Sequence, residues 1–128
     1  HRCIGGIADF CKGGVGLRQN GGIVELMAAQ LGFLVVAREG RMGFGDTVGC
    51  LAPLEIHAVI SRILGDVHHP LCIHCHNDLG FAAANTITAA AAGAFQLHTT
   101  VNGIGERAGN AALEQVLVAL RMKGGVDR

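Results

Sequence analysis

From Ile23 onward, apolar residues arrive in short runs broken by glycine and polar residues. Val24, Met27, Leu31, Leu34 and Val35 recur at three- and four-residue steps and predict a helix over Ile23 to Glu39, stopped by Gly40. Arg41 to Gly45 is a short strand, followed by the turn Asp46-Thr47-Val48-Gly49. Pro53 suits the first turn of a second helix that runs to about Leu64, with Leu54, Ala58, Val59 and Ile63 along one stripe. Gly65 to His69 reads as a loop, Pro70 to His76 as a strand, and Asn77 to Gly80 as its exit turn. Phe81 to Ala92 is a third helix closed by Gly93, and Phe95 to Val101 a further strand. Asn102 to Gly109 is a polar loop, after which Asn110 caps a last helix to about Met122.

The alternation of helix and strand predicts an α/β fold with right-handed crossovers and parallel strands. Three of the strands end in polar, glycine-containing loops, and in such folds chemistry gathers at the C-terminal strand ends. Residues 1–22 carry glycine at positions 5, 6, 13, 14, 16, 21 and 22, so a loop or frayed element is expected there. Residues 23–128 hold the patterned part.

Composition narrows the function classes. Ten Lys and Arg balance ten Asp and Glu, so no basic field exists to attract nucleic acid. The longest apolar stretch, Ala82 to Phe95, contains Asn85, Thr86 and Thr88 and falls short of the roughly 18 strongly apolar residues of a membrane span. No basic, then apolar leader opens the chain, and five cysteines without scaffold spacing read as reduced thiols. A cytoplasmic location is expected. The 128 residues suffice for one core but are about half of the roughly 250 in a complete (β/α)8 barrel. The first residue is His rather than Met, so an excised or processed piece is expected.

The strongest chemical feature is His74-Cys75-His76-Asn77-Asp78 at the end of an apolar strand. Strand side chains alternate between faces, so His74 and His76 point the same way. Two imidazoles at that spacing suit one divalent metal, and Asn77-Asp78 adds oxygen acceptors. The blander reading is two histidines hydrogen-bonding locally. Cys72 and Cys75 could join a histidine in a structural zinc site, but Cys75 faces away from both histidines and no second cysteine pair follows. Both thiols are expected to fill core space.

In the loop Asn102 to Asn110, Gly103, Gly105 and Gly109 are spaced one residue too long for a dinucleotide fingerprint. Glu106 and Arg107 also put charge where a phosphate cradle needs backbone. The glycines instead let the chain turn sharply, bringing Glu106, Arg107 and Asn110 to the mouth of a pocket. The alternative is a solvated loop with a capping asparagine. Asp46-Thr47-Val48-Gly49 lies at the same end of the sheet.

D-T-V-G (46–49), H-C-H-N-D-L-G with A-x-A-N (74–85), A-G-A (92–94) and T-V-N-G-I-G-E-R-A-G-N-A-A-L-E (100–114) follow in order. Together they resemble the 2-isopropylmalate, homocitrate and citramalate synthases, metal-dependent Claisen-type enzymes of amino-acid biosynthesis related to hydroxymethylglutaryl-CoA lyase. The resemblance covers about residues 40–128. It implies the last three strands and helices of a TIM barrel, and condensation of acetyl-CoA with a 2-oxo acid followed by thioester hydrolysis. It implies a divalent cation (Mg, Mn or Zn) on His74 and His76, with Asn110 either a third ligand or a group close behind the ligands. It also implies Thr47, with Asp46, at the substrate carboxylate, Glu106 at the acetyl-CoA side, and Arg107 holding the loop.

Some of that family's pattern is missing. Its first strand supplies an Arg, a metal-binding Asp and a Glu that have no counterpart here. That family also usually has a Glu-Asp pair on an earlier strand, whose nearest counterpart here is Ala8-Asp9, without the Glu. The C-terminal subdomain that the resemblance implies for the general base has no counterpart within these 128 residues. The chain alone is therefore expected to be inactive, and to oligomerise or take up a partner chain that supplies the other strands. Val48-Gly49-Cys50-Leu51 lacks an aromatic found in many isopropylmalate synthases, which keeps homocitrate and citramalate synthases open. A non-catalytic remnant and a structural zinc module are the readings from other classes.

Overall fold

The computed structural model describes residues 18–20, 23–28, 33–38 and 41–123, the first three segments as backbone. Six strands form one sheet in chain order: β1 Arg18–Asn20, β2 Ile23–Ala28, β3 Phe33–Arg38, β4 Arg41–Asp46, β5 Leu71–Cys75 and β6 Gln96–His98. Helix α1 (Pro53–Asp66) joins β4 to β5, α2 (Ala82–Ala91) joins β5 to β6, and α3 (Leu113–Lys123) follows a 3-10 turn at Val101–Gly103. No helix among the described residues is long and apolar enough to cross a membrane.

From β4 onward the expected architecture is present. The ladders β4–β5 and β5–β6 are parallel, with Phe44 beside Ile73 and Ile73 beside Leu97. Alternation assigns the faces. Met42, Phe44 and Asp46 on β4 and Leu71, Ile73 and Cys75 on β5 are buried. Against them α1 packs Ile56, Val59, Ile60 and Ile63, α2 packs Ala82 and Ala89, and α3 packs Val116. Burying each large aliphatic or aromatic side chain contributes about 1.5–3 kcal/mol. Pro53 opens α1 where its missing N–H costs nothing, and the Glu55 carboxylate accepts the Ala52 N–H at 2.8 Å.

Ahead of β4 the structure corrects the sequence reading. The helix expected over Ile23 to Glu39 is replaced by β2 and β3, paired antiparallel from Val24 beside Ala37 to Ala28 beside Phe33. The spacing that suggested a helix fits two strands as well, since short apolar runs do not separate the two periods. Phe33-Leu34-Val35-Val36 is rich in strand-favouring residues, and Gly32 inside a helix would cost about 1 kcal/mol. Antiparallel ladders β1–β2, β2–β3 and β3–β4 thus extend a sheet expected to be parallel throughout. Within the stretch expected to be irregular, Arg18–Asn20 is a strand, and residues 1–17 lie outside the described part.

Two smaller boundaries also move. The strand expected over Phe95 to Val101 is Gln96–His98, because the chain turns at Asn102 with φ of 55°. Asn110 does not cap the last helix, which begins three residues later at Leu113. It pairs instead with His76 in an isolated antiparallel bridge.

Candidate active site

The face of the sheet turned away from the helices carries the site. Register places Gly45, His74 and His98 side by side across β4, β5 and β6. His76 follows His74 by one strand period, and their ring centroids lie 4.8 Å apart with the planes at 86°. His74 is half-buried and His76 is buried. Burial lowers the His74 pKa, and the neighbouring His76 and His98 rings lower it further. All three effects favour a neutral imidazole, the form that binds a metal.

Asn110 reaches His76 because the 101–110 loop is stitched to itself and to the end of β5. The Asn110 N–H donates to the Gly103 carbonyl at 2.9 Å, and the Asn77 N–H donates to the Gly109 carbonyl at 2.9 Å. Gly109 sits at φ of 92°, where a Cβ would run into the Gly103 carbonyl oxygen. The Asn110 amide nitrogen donates to the Ile104 carbonyl at 3.1 Å. That leaves Asn110 Oδ1, like His76 Nδ1, buried with no hydrogen-bond partner. Buried lone pairs without a partner are costly unless something answers them, and a cation would. Two imidazoles and an amide oxygen therefore fit a divalent cation chemically. Among the described residues, no three His, Cys, Asp or Glu side chains already surround one point.

Glu106 and Arg107 reach the same place. Glu106 Oε1 stands 3.7 Å from His76 Nε2, with its side chain exposed. Its own backbone N–H and then His76 keep its pKa low. Arg107, at φ of 57°, grips Asp78 through Nε (2.8 Å) and Nη2 (3.0 Å) and donates to the Thr47 carbonyl at 2.8 Å. One guanidinium thus ties together the loops after β4, β5 and β6, which is the loop-holding role the resemblance implies. Gly49, at φ of 60°, lets these loops meet: a Cβ there would lie 2.8 Å from the Asp78 nitrogen and 2.9 Å from the His76 carbonyl oxygen.

Asp46 is placed differently from the sequence reading. It pairs in register with Cys75 and shares the helix-packed face, opposite His74. Its fully buried carboxylate accepts the Cys50 N–H at 3.2 Å and lies 3.5 Å from the Asn85 amide. Burial pushes its pKa up to about 6. Asp46 therefore anchors the turn that presents Thr47, which is exposed. Cys75 lies on the same buried face with its thiol pushed up to about 12 by burial, and Cys72 donates to the Gln96 side-chain oxygen at 3.3 Å. Both thiols fill core space, as expected.

The structure thus brings His74, His76, Asn110 and Glu106 together, sets Thr47 at the rim, and turns Asp46 away. Sequence reasoning missed Asp78 as the partner of Arg107 and His98 as the neighbour of His74. Strand parity after Gln96 could have raised His98, but only register puts it beside His74.

The HMGL-like family model matches residues 24–128. The homocitrate synthase AksA of Methanosarcina acetivorans is 59% identical over 87 residues, which is 68% of this chain and 22% of that protein. The (R)-citramalate synthase CimA of Methanocaldococcus jannaschii is 44% identical over 122 residues, 86% of this chain and 25% of that protein. A probable 2-isopropylmalate synthase of Methanopyrus kandleri is 51% identical over 87 residues, 68% and 17% of the two chains. The chain thus spans about a quarter or less of the curated relatives it matches. Among solved structures, an HMG-CoA lyase from Acinetobacter baumannii, in complex with coenzyme A and 3-methylmalate, has TM-score 0.56 at 25% identity. It covers 62% of this chain and 28% of its own. The N-terminal domain of a candidate aldolase from Bacteroides vulgatus has TM-score 0.64 at 27% identity, covering 69% and 29%. With β4, β5, β6 and their helices as part of a (β/α)8 barrel, this chain belongs to the HMGL-like family, and its relatives include homocitrate, citramalate and isopropylmalate synthases.

Proposed function

We propose that this chain is the metal-holding and loop-closing part of an acyltransferase that condenses acetyl-CoA with a 2-oxo acid. The observation that carries this reading is the His74–His76 pair, 4.8 Å between rings, with Asn110 bridged onto His76. His74, His76 and Asn110 Oδ1 are the groups that would hold a divalent cation (Mg, Mn or Zn). A bound cation supplies Lewis acidity at the ketone of the 2-oxo acid.

The remaining chemistry falls to named side chains. The Thr47 hydroxyl, at the exposed turn after β4, would donate to the substrate carboxylate. Glu106 would face the acetyl-CoA methyl group. Its carboxylate, 3.7 Å from His76 Nε2, would stand between the acetyl group and the histidine pair. Arg107 keeps the three loops in place through Asp78 and the Thr47 carbonyl. Synthase relatives at 44–59% identity favour condensation over the lyase chemistry of a fold neighbour at 25%. The isopropylmalate type stands beside the homocitrate and citramalate types, each represented among the relatives.

The test is a graft. Residues of this chain replace the matching 87 residues of the Methanosarcina acetivorans synthase, and free thiol released from acetyl-CoA is measured with a panel of 2-oxo acids. Turnover that falls at least a hundredfold on His76→Ala is expected, with none from the isolated chain. A folded graft that releases no thiol with any 2-oxo acid, or one indifferent to His76→Ala, overturns the reading.

A further inference from the structure

The run Ala82-Ala83-Ala84-Asn85 opens α2 and ends on a fully buried amide. Ala82 and Ala89 of the same helix bring only methyl groups to the core. Asn85 reaches further. Its Nδ2 donates to the Leu51 carbonyl at 2.7 Å and stands 3.5 Å from Asp46 Oδ2. Asp46 ends β4, and Leu51 lies just before α1. One amide from α2 therefore holds both ends of the turn between them.

That turn carries Thr47, whose hydroxyl donates to the Gly45 carbonyl at 3.3 Å. Gly45 lies beside His74 in the parallel register. Within the turn, Asp46 Oδ1 accepts the Cys50 N–H at 3.2 Å, and the Asp46 carbonyl accepts the Gly49 N–H at 3.2 Å. The segment thus moves as one unit. Arg107 holds it from the loop side at the Thr47 carbonyl, and Asn85 holds it from the helix side.

Packing alone does not account for an amide here. Asn85 Oδ1 is buried with no hydrogen-bond partner, and such an acceptor costs stability. A position that carries this cost gains something else from the side chain. The two contacts of Nδ2 say what it gains, which is the placement of the turn.

We propose that Asn85 is a positioning residue for the 2-oxo acid. By holding both ends of the 46–51 turn, it fixes the Thr47 hydroxyl at the His74 row of the sheet. It thereby sets the affinity for the 2-oxo acid and not for acetyl-CoA. A displacement of about 1 Å at such a group can cost about a hundredfold. The proposal rests on Thr47 binding the substrate carboxylate, and the experiment separates the two ideas.

The graft in the Methanosarcina acetivorans synthase is assayed by thiol release, and KM is measured for both substrates. The parent graft is compared with Asn85→Ala, Asn85→Ser, Thr47→Ala and the Asn85→Ala/Thr47→Ala pair. Asn85→Ala should raise KM for the 2-oxo acid at least tenfold and KM for acetyl-CoA less than twofold. Asn85→Ser keeps a short donor and should raise the first KM at least threefold, which carries the test if Asn85→Ala does not fold. In the Thr47→Ala background, Asn85→Ala should add less than twofold, because the contact it serves is already gone. An equal rise in both KM values, or an undiminished effect in the Thr47→Ala background, makes Asn85 a general structural residue and overturns the proposal. A raised 2-oxo acid KM in Thr47→Ala with none in the folded Asn85 variants overturns it too, and leaves the role of Thr47 standing. A Thr47→Ala graft with the parent KM overturns the role of Thr47 and, with it, this proposal, and a graft without turnover overturns both.

Discussion

Arg107 and Asp78 form a two-pronged ion pair, Nε to Oδ1 at 2.8 Å and Nη2 to Oδ2 at 3.0 Å. The same Nη2 also donates to the Thr47 carbonyl at 2.8 Å. A lysine ammonium is a point charge without the planar fork, so it cannot make all three contacts in this geometry. Arg107→Lys and Arg107→Ala should both loosen the 101–110 loop. Hydrogen exchange at the Asn77 and Asn110 amides, which bond within and onto that loop, should speed up several-fold in each variant. Unchanged protection in both variants would mean that the glycine-rich turns hold the loop without the strap.

Gly49 makes the meeting of these loops sterically possible. Gly49→Ala places a methyl 2.8 Å from the Asp78 nitrogen in a left-handed backbone, with φ of 60°. A loss of about 1–3 kcal/mol is expected from strain and displaced loops. Urea unfolding checks it, and a variant as stable as wild type would show that the turn relaxes.

Asp46 should make stability depend on pH. Its folded pKa of about 6 lies above the ordinary 3.8. Its contribution is fully present below pH about 4 and is lost as pH rises through about 6, because the unfolded chain ionises first. At about 1.36 kcal/mol per unit, the loss is at most about 3 kcal/mol. His74, whose pKa is lowered, acts in the opposite sense as pH falls. The measurement is therefore the difference between wild type and Asp46→Asn in urea midpoints from pH 4 to 7.5. Asp46→Asn should gain on wild type as pH rises, and a constant difference would remove Asp46 as the cause.

Cys75 should be chemically inert in the folded chain. With its thiol raised to about 12, almost no thiolate forms at pH 8. Peptide mapping after brief iodoacetamide treatment should find Cys50, which is half-buried, labelled ahead of Cys75. Equal labelling before and after urea would contradict the burial that sets its pKa.

Much of this site is local in sequence, and that part was readable. His74 and His76 share a face by strand parity alone, and Arg41 onward alternates strand and helix with clear stops. What depends on register was not readable. Asp46 takes the buried face only because its partner is Cys75, and His98 meets His74 only once β5 and β6 are aligned. Asn110 looked like a cap because it precedes an apolar run, yet the bridge to His76 claims it first. The region before Arg41 was misread because a run such as Phe33-Leu34-Val35-Val36 satisfies helix and strand spacing alike.

The strand order has a consequence for assembly. β3 already occupies the side of β4 away from β5, and it runs antiparallel. A parallel strand arriving from another chain can add directly beside β6, but at β4 it must first evict β3. Closing a barrel around this sheet would therefore call for strand exchange on one side and simple addition on the other, with the β3–β4 ladder as the pairing to be lost.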